Sequence, residues 1–232
     1  MTGQDLRRIA WPQVRAGLLV VPLGSCEQHG PHLPFDVDTT VAAAVAEAFV
    51  ARRDDAVLAP ALAYGASGEH EGFAGTLSLG TRALITLIVE LGRSASRWAA
   101  QLLLVNGHGG NTEAVAAATL HLRSEGRDVA WWSCGSPDGD AHAGRTETSL
   151  MLLLRPADVL LSEAAAGRVE ALAGLLPELR RSGVTGVSGN GVLGDPAGAS
   201  AAEGRQLLDA MVERLHAAAR AWDVKDNGRL AA

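Results

Sequence analysis

Six consecutive apolar residues, 18–23, stop at Gly24 and give way to a loop rich in glycine, histidine and carboxylates. The pattern returns at 101–105, which is followed by Asn106-Gly107-His108-Gly109-Gly110-Asn111. A short, unbroken and partly β-branched apolar run suits a strand covered on both faces, as in a parallel sheet. Runs 56–62 and 128–133 have the same character. Between them lie segments of helical period. Residues 39–53 are alanine-rich, with Asp38 or Thr39 placed as cap. Residues 81–100 carry Leu84, Leu87, Ile88 and Leu91 on one face, and 112–125 is closed by Gly126. Strand–loop–helix units in series specify an α/β fold with a mostly parallel sheet and helices on both faces. Ligands of such sheets sit beyond the carboxyl ends of the strands, which is where both loops fall.

The second half is less regular. Residues 63–80 read as a loop with Glu69-His70-Glu71 at its middle, and 134–144 as a turn-rich loop. A helix is expected over 145–154, a helix broken near Pro177 over 169–181, a glycine-rich loop over 183–200 and a long helix over 201–221. One domain is expected over 1–222, with 223–232 as a polar tail that frays.

The chain has 232 residues and a formal net charge of −6, so it offers no cationic footprint for nucleic acid or an anionic membrane. Its two cysteines, Cys26 and Cys134, imply no disulfide framework. No apolar run approaches the ~20 residues that span a bilayer, and residues 1–8 have no apolar signal core. A cytoplasmic location is expected.

Glu27 and His29 share the loop after the first apolar run. Asp38 opens the next helix, His108 follows the third run and Glu147 sits at the start of helix 145–154. Carboxylate oxygen and neutral imidazole nitrogen form a ligand set suited to Zn, Mn or Fe. Five such side chains suffice for a dinuclear site with Asp38 as the bridge. Asp38 serves equally well as a helix cap, and Glu147 as a complement to the helix start. His70, between Glu69 and Glu71, is a candidate for the substrate cleft, whereas His32, His121 and His216 are not expected to be ligands; the last two sit within helices, where a packed or surface histidine is usual. Other hydrolase and nucleotide-binding signatures are missing. Gly65-Ala66-Ser67-Gly68-Glu69 breaks a GxSxG elbow, His70-Glu71 lacks the second histidine of HExxH, and no phosphate-binding glycine motif is present. Cys26 as a thiol nucleophile is the weaker reading.

The stretches GSCEQHGPHLPFDVDT (24–39), NGHGGN (106–111) and DAHAGRTETS (140–149) together resemble the creatininase family of metal-dependent amidohydrolases. The resemblance implies a three-layer α/β/α sandwich, two divalent metal ions (Zn, Fe or Mn) and a symmetric homo-oligomer, often a hexamer. It matches Glu27, His29, Asp38 and His108 to metal ligands, with Asp38 bridging, and His142 to a catalytic histidine that contacts substrate and moves protons. Creatininase itself has a glutamate ligand two residues after the histidine of NGH, where this chain has Gly110. Glu147 is the expected replacement. Residues 64–70 (YGASGEH) and 190–196 (NGVLGDP) look like the mycofactocin-system branch of the family. That likeness implies a peptidase releasing the Val-Tyr-derived carboxyl-terminal moiety of a radical-modified precursor peptide. Glu69, His70 and the loop 186–196 are expected to shape the substrate-binding cleft for such a peptide. A small-molecule amidohydrolase acting on a cyclic amide or formamide is the alternative.

Overall fold

The computed structural model describes residues 3–15, 17–136 and 139–231. Five strands form one parallel sheet: β1 (Gln4–Asp5), β2 (Leu18–Leu23), β3 (Ala56–Leu58), β4 (Gln101–Asn106) and β5 (Val129–Ser133), in the order β1-β3-β2-β4-β5. The helices are α1 (Val37–Val50), α2 (Thr81–Ala95), α3 (Thr112–Ser124), α4 (Arg145–Leu154), α5 (Leu172–Val187) and α6 (Ala201–Ala221).

Alternation along the strands builds two cores. Leu18 and Val20 of β2, Leu103 and Val105 of β4 and Trp132 of β5 pack with α1, α4 and α6. Their neighbours Leu19, Val21, Leu23, Leu102, Leu104 and Trp131 pack with α2 and α3 on the opposite face. Successive side chains of a strand point to opposite faces, so apolar strands need cover on both. The result is the α/β/α sandwich that the sequence implied. No helix among the described residues is long and apolar enough to cross a membrane.

The order places the site. The chain leaves β2 for β3 on one side and returns to β4 on the other. The crevice beyond the carboxyl ends of β2 and β4 is therefore the topological switch point, where ligands bind in sheets of this kind. Both glycine-rich loops open into it.

Several local expectations change. Run 56–62 is a strand only over Ala56–Leu58; Pro60 has no N–H to give a ladder. The helix expected over 169–181 runs from Leu172 to Val187 and is interrupted at Gly183, not near Pro177. Gly183 has φ 65°, a left-handed conformation that glycine alone adopts without strain. The frayed tail is replaced by an ordered return: the Trp131 N–H donates to the Gly228 carbonyl (3.1 Å) and the Leu230 N–H to the Trp131 carbonyl (2.9 Å). Leu230 is buried. Strand β5 is a sheet edge, and the tail satisfies backbone groups that an open edge would leave exposed. Within the loop expected over 134–144, residues 137 and 138 lie outside the described residues, as do residues 1, 2 and 232.

Candidate metal centre

Four elements bring the carboxylates and imidazoles together. In the loop after β2, the Glu27 N–H donates to the Phe35 carbonyl (3.0 Å), and His29 Nδ1 lies 3.1 Å from the Glu27 carbonyl. A carbonyl only accepts, so Nδ1 carries the hydrogen and Nε2 is the free ligand atom of the neutral ring. That Nε2 faces Asp38 Oδ1 at 3.4 Å and Glu147 Oε2 at 3.9 Å.

Asp38 lies in the first turn of α1, whose cap position is taken by Asp36 rather than by Asp38 or Thr39. Its side chain is thereby released for the site and is oriented by Ser25, whose hydroxyl donates to Oδ2 at 2.6 Å. His108 follows β4. Asn106 donates to the His108 carbonyl (2.7 Å). Asn111 donates to the Gly24 carbonyl (3.0 Å) and accepts from the Ala66 N–H (2.8 Å), lacing three loops together. Gly107 lies directly against the Asp38 backbone carbonyl, where a Cβ has no room. Glu147, in the first turn of α4, accepts from the Ala143 N–H at 2.5 Å.

Three groups of ligand atoms lie within 4.8 Å of one another: Glu27, Asp38 and His108; His29, Asp38 and Glu147; and Glu27, His29 and His142. All five residues matched or expected as ligands are thus brought together, and Asp38 joins two of the groups. His142 comes in with them, its Nδ1 3.8 Å from Glu27 Oε1.

Both Glu27 carboxylate oxygens and His29 Nε2 are buried without a hydrogen-bond partner. A buried carboxylate that neither ionises against a cation nor accepts a hydrogen bond is costly. The donor set, with its orphaned atoms, fits divalent cations that accept mixed oxygen and nitrogen ligands.

Protons respond to the same crowding. Burial works against the imidazolium of His29, but Asp38, Glu147 and Glu27 outweigh it and raise its pKa to about 10. His108 is also buried and is likewise raised, by Glu27, Asp38 and Glu69. Asp38 is held well below the usual carboxylate range: burial opposes its charge, and His29 and His108 prevail. Burial pushes Glu147 up to about 7, with Asp38 adding to the effect and His29 opposing it. His142 is pushed well below its ordinary value by burial and by His29 and His70, which keeps the ring neutral.

Glu69 and His70 sit on a short 3-10 turn, Gly68–His70, beside this cluster. His70 Nε2 lies 3.4 Å from Glu27 Oε1, and Glu69 Oε1 lies 3.5 Å from His108 Nε2. The Glu69 carboxylate fills the space that a side chain at Gly110 would need. Both residues line a cavity of about 630 Å³. Asp38, His108, His142 and Glu147 form one side of it, and Leu172, Leu176, Leu179 and Arg180 of α5 line it as well.

Ser25, Gln28 and Asn111 were not singled out from sequence. They are neutral polar residues in loops, and their only signal is adjacency to Glu27, His29 and His108. His32 is buried, with Nε2 2.9 Å from the Thr148 hydroxyl.

The family model for creatininase (creatinine amidohydrolase) matches residues 7–219. The chain belongs to the creatininase family. Among its relatives, the mycofactocin precursor peptide peptidase of Mycolicibacterium smegmatis is 55% identical over 92% of this chain and 88% of that protein. The protein of the same name from Mycobacterium tuberculosis is 52% identical over 91% and 88%. Solved creatininases share the fold. A mutant of Zn–Zn type superposes with a TM-score of 0.78 at 27% identity, covering 96% of this chain and 99% of that one. A creatininase described with Mn gives 0.77 at 26%, covering 95% and 99%. In this chain the fold puts the switch-point crevice, the Glu27 carboxylate and the imidazoles of His29, His108 and His142 in one place.

Proposed function

We propose that this chain hydrolyses an amide bond with two bound divalent ions, and that its substrate is the mycofactocin precursor peptide, from which it releases the Val-Tyr-derived carboxyl-terminal moiety. The observation that carries this reading is the buried Glu27 carboxylate, which accepts no hydrogen bond and faces the imidazoles of His108 and His70, beside a cavity of about 630 Å³, in a chain 55% identical to a relative of that name.

Glu27, Asp38 and His108 would hold one ion and His29, Asp38 and Glu147 the other. Glu147 thereby takes the place of the glutamate missing at Gly110. Zn, Fe and Mn all suit these donors. Ions held there would supply Lewis acidity toward a water and an amide carbonyl. His142 carries the proton. Its neutral ring accepts at Nδ1, the nitrogen facing Glu27, and returns the proton to the leaving nitrogen. Glu69 and His70 border the cavity and meet the peptide beside the scissile bond. The leucines of α5 cover its apolar side chains. The family resemblance supports a cytoplasmic homo-oligomer, a hexamer.

A cyclic amide such as creatinine is the weaker substrate. Gly110 stands where creatininase places a glutamate, and Glu69 occupies the space in front of it.

Mass spectrometry of the modified precursor peptide, incubated with metal-loaded and with chelated enzyme, tests the reading. Loss of a carboxyl-terminal fragment only with metal is expected. A peptide left intact under Zn, Fe and Mn, with creatinine consumed instead, contradicts it.

A further inference from the structure

Gln28 lies between the two ligand residues of its loop and is buried, yet it faces away from the carboxylates. Its Oε1 accepts from the Gly30 N–H at 2.8 Å, which fixes the orientation of the amide. Its Nε2 then lies 3.0 Å from the Gly191 carbonyl, 2.9 Å from His70 Nδ1 and 3.1 Å from His142 Nε2. The backbone carbonyl of the same residue lies 2.8 Å from His142 Nε2.

An amide nitrogen has two hydrogens and a carbonyl has none. The Gly191 carbonyl can only accept, so one Gln28 hydrogen goes there. The carbonyl of Gln28 can only accept, so His142 Nε2 must carry its own hydrogen and donate it. His142 Nε2 is then closed as an acceptor, and the second amide hydrogen goes to His70 Nδ1. A neutral imidazole has one N–H and one bare nitrogen. His142 is therefore the Nε2–H form with Nδ1 bare, and His70 is the Nε2–H form with Nδ1 occupied as an acceptor. The exchanged arrangement sets a hydrogen of His70 Nδ1 against a hydrogen of Gln28 and leaves the Gln28 carbonyl facing a bare nitrogen.

The consequence differs between the two rings because they face the cluster by different atoms. His142 meets Glu27 Oε1 with Nδ1 (3.8 Å), whereas His70 meets the same oxygen with Nε2 (3.4 Å). We propose that Gln28 is a positioning residue that assigns opposite duties to these histidines: His142 turns a lone pair toward Glu27, and His70 turns an N–H toward it. A lone pair accepts a proton or binds a cation. An N–H does neither, which bars His70 from the ligand set although its Nε2 lies 3.4 Å from Glu27 Oε1. The side chain of Gln28 sets His70, while its backbone carbonyl sets His142, so a side-chain substitution separates the two.

Neutron diffraction of the zinc-loaded, perdeuterated enzyme near pH 7.5 reads the ring deuterons directly. The wild-type protein is expected to carry a deuteron on Nε2 of both His70 and His142 and on Nδ1 of neither. In Gln28→Met, which keeps the length of the side chain but has no donor, the His70 deuteron spreads to Nδ1 while His142 is unchanged. Zinc content stays at the wild-type value. Precursor-peptide kcat falls on the order of 10–100-fold, the usual cost of losing a group that orients a site histidine, with KM within about twofold. A deuteron on Nδ1 of either ring in the wild type overturns the proposal, as does a Gln28→Met enzyme with wild-type kcat. A change at both histidines in the variant marks collapse of the loop and also counts against it. If the variant does not fold, the wild-type deuterons decide alone. The kinetic arm rests on the hydrolase reading above and the neutron arm does not, so an enzyme inactive on every amide but with both deuterons as expected sinks only that reading.

Discussion

His29 is pulled in two directions. Burial disfavours its charge, yet the carboxylates around Nε2 raise its pKa to about 10 in the metal-free protein, and His108 is raised as well. At neutral pH the imidazoles therefore carry protons that a metal ligand must lose. Zinc titrated into metal-free protein at pH 7.5, in buffers of different ionisation enthalpy, is expected to release about one to two protons per molecule; binding with no release contradicts the ligand assignment. The same shift affects stability. A folded pKa above the ordinary 6.5 means that the His29 pairing stabilises the metal-free fold fully below pH 6.5 and is lost as pH rises through about 10. Asp38, whose pKa is depressed, contributes above 3.8, and this is lost as pH falls further. At this scale the clustered residues were legible because Glu27, His29, Asp38 and His108 have metal-binding chemistry and lie near glycines. Gln28 was not legible. Its meaning lies in partners up to 163 residues away, and no periodicity marks them.

Among the helices α1 to α6, α5 has the smallest share of buried residues, Leu175, Val184 and Val187, and it lines the cavity. Leu172, Leu176 and Arg180 recur at intervals of four and share one face, and with Leu179 they line the cavity. Leu172 is 45% exposed and Leu176 37%, apolar area that a bound peptide would cover. Burying one leucine side chain is worth roughly 1.5–3 kcal/mol, and about 1.4 kcal/mol is tenfold in affinity. Leu172→Ser/Leu176→Ser is expected to raise the KM for the precursor peptide at least about tenfold, with kcat and thermal midpoint near wild type. An unchanged KM removes α5 from the substrate cleft. Helices α4 and α6 were readable to the residue, because the helical period and the flanking Pro156 and Ser200 mark them. The break in α5 was misplaced because Pro177 is the louder signal, whereas the kink depends on which residue adopts φ 65°, and that is Gly183.

Taken whole, the molecule is a sheet whose order brings distant segments to one crevice. Four of the five strands, the parallel class and the two covered faces follow from apolar runs and were legible; β1, the polar pair Gln4–Asp5 at the sheet edge, was not. The return of residues 223–231 along β5 was not, because its polar composition hides one anchoring side chain, Leu230. Leu230→Ala is expected to cost about 2–5 kcal/mol in chemical denaturation, as for other buried leucines; a loss within about 0.5 kcal/mol, typical of surface sites, would restore the frayed tail. The central claim is the convergence of Glu27, His29, Asp38, His108 and Glu147, which arrive from four separate elements, upon a pair of cations. Anomalous diffraction at the zinc edge, on crystals of metal-loaded protein, tests it most directly. Two peaks are predicted, one among Glu27, Asp38 and His108 and the other among His29, Asp38 and Glu147. Occupied zinc sites elsewhere, with these side chains left free of metal, would contradict it.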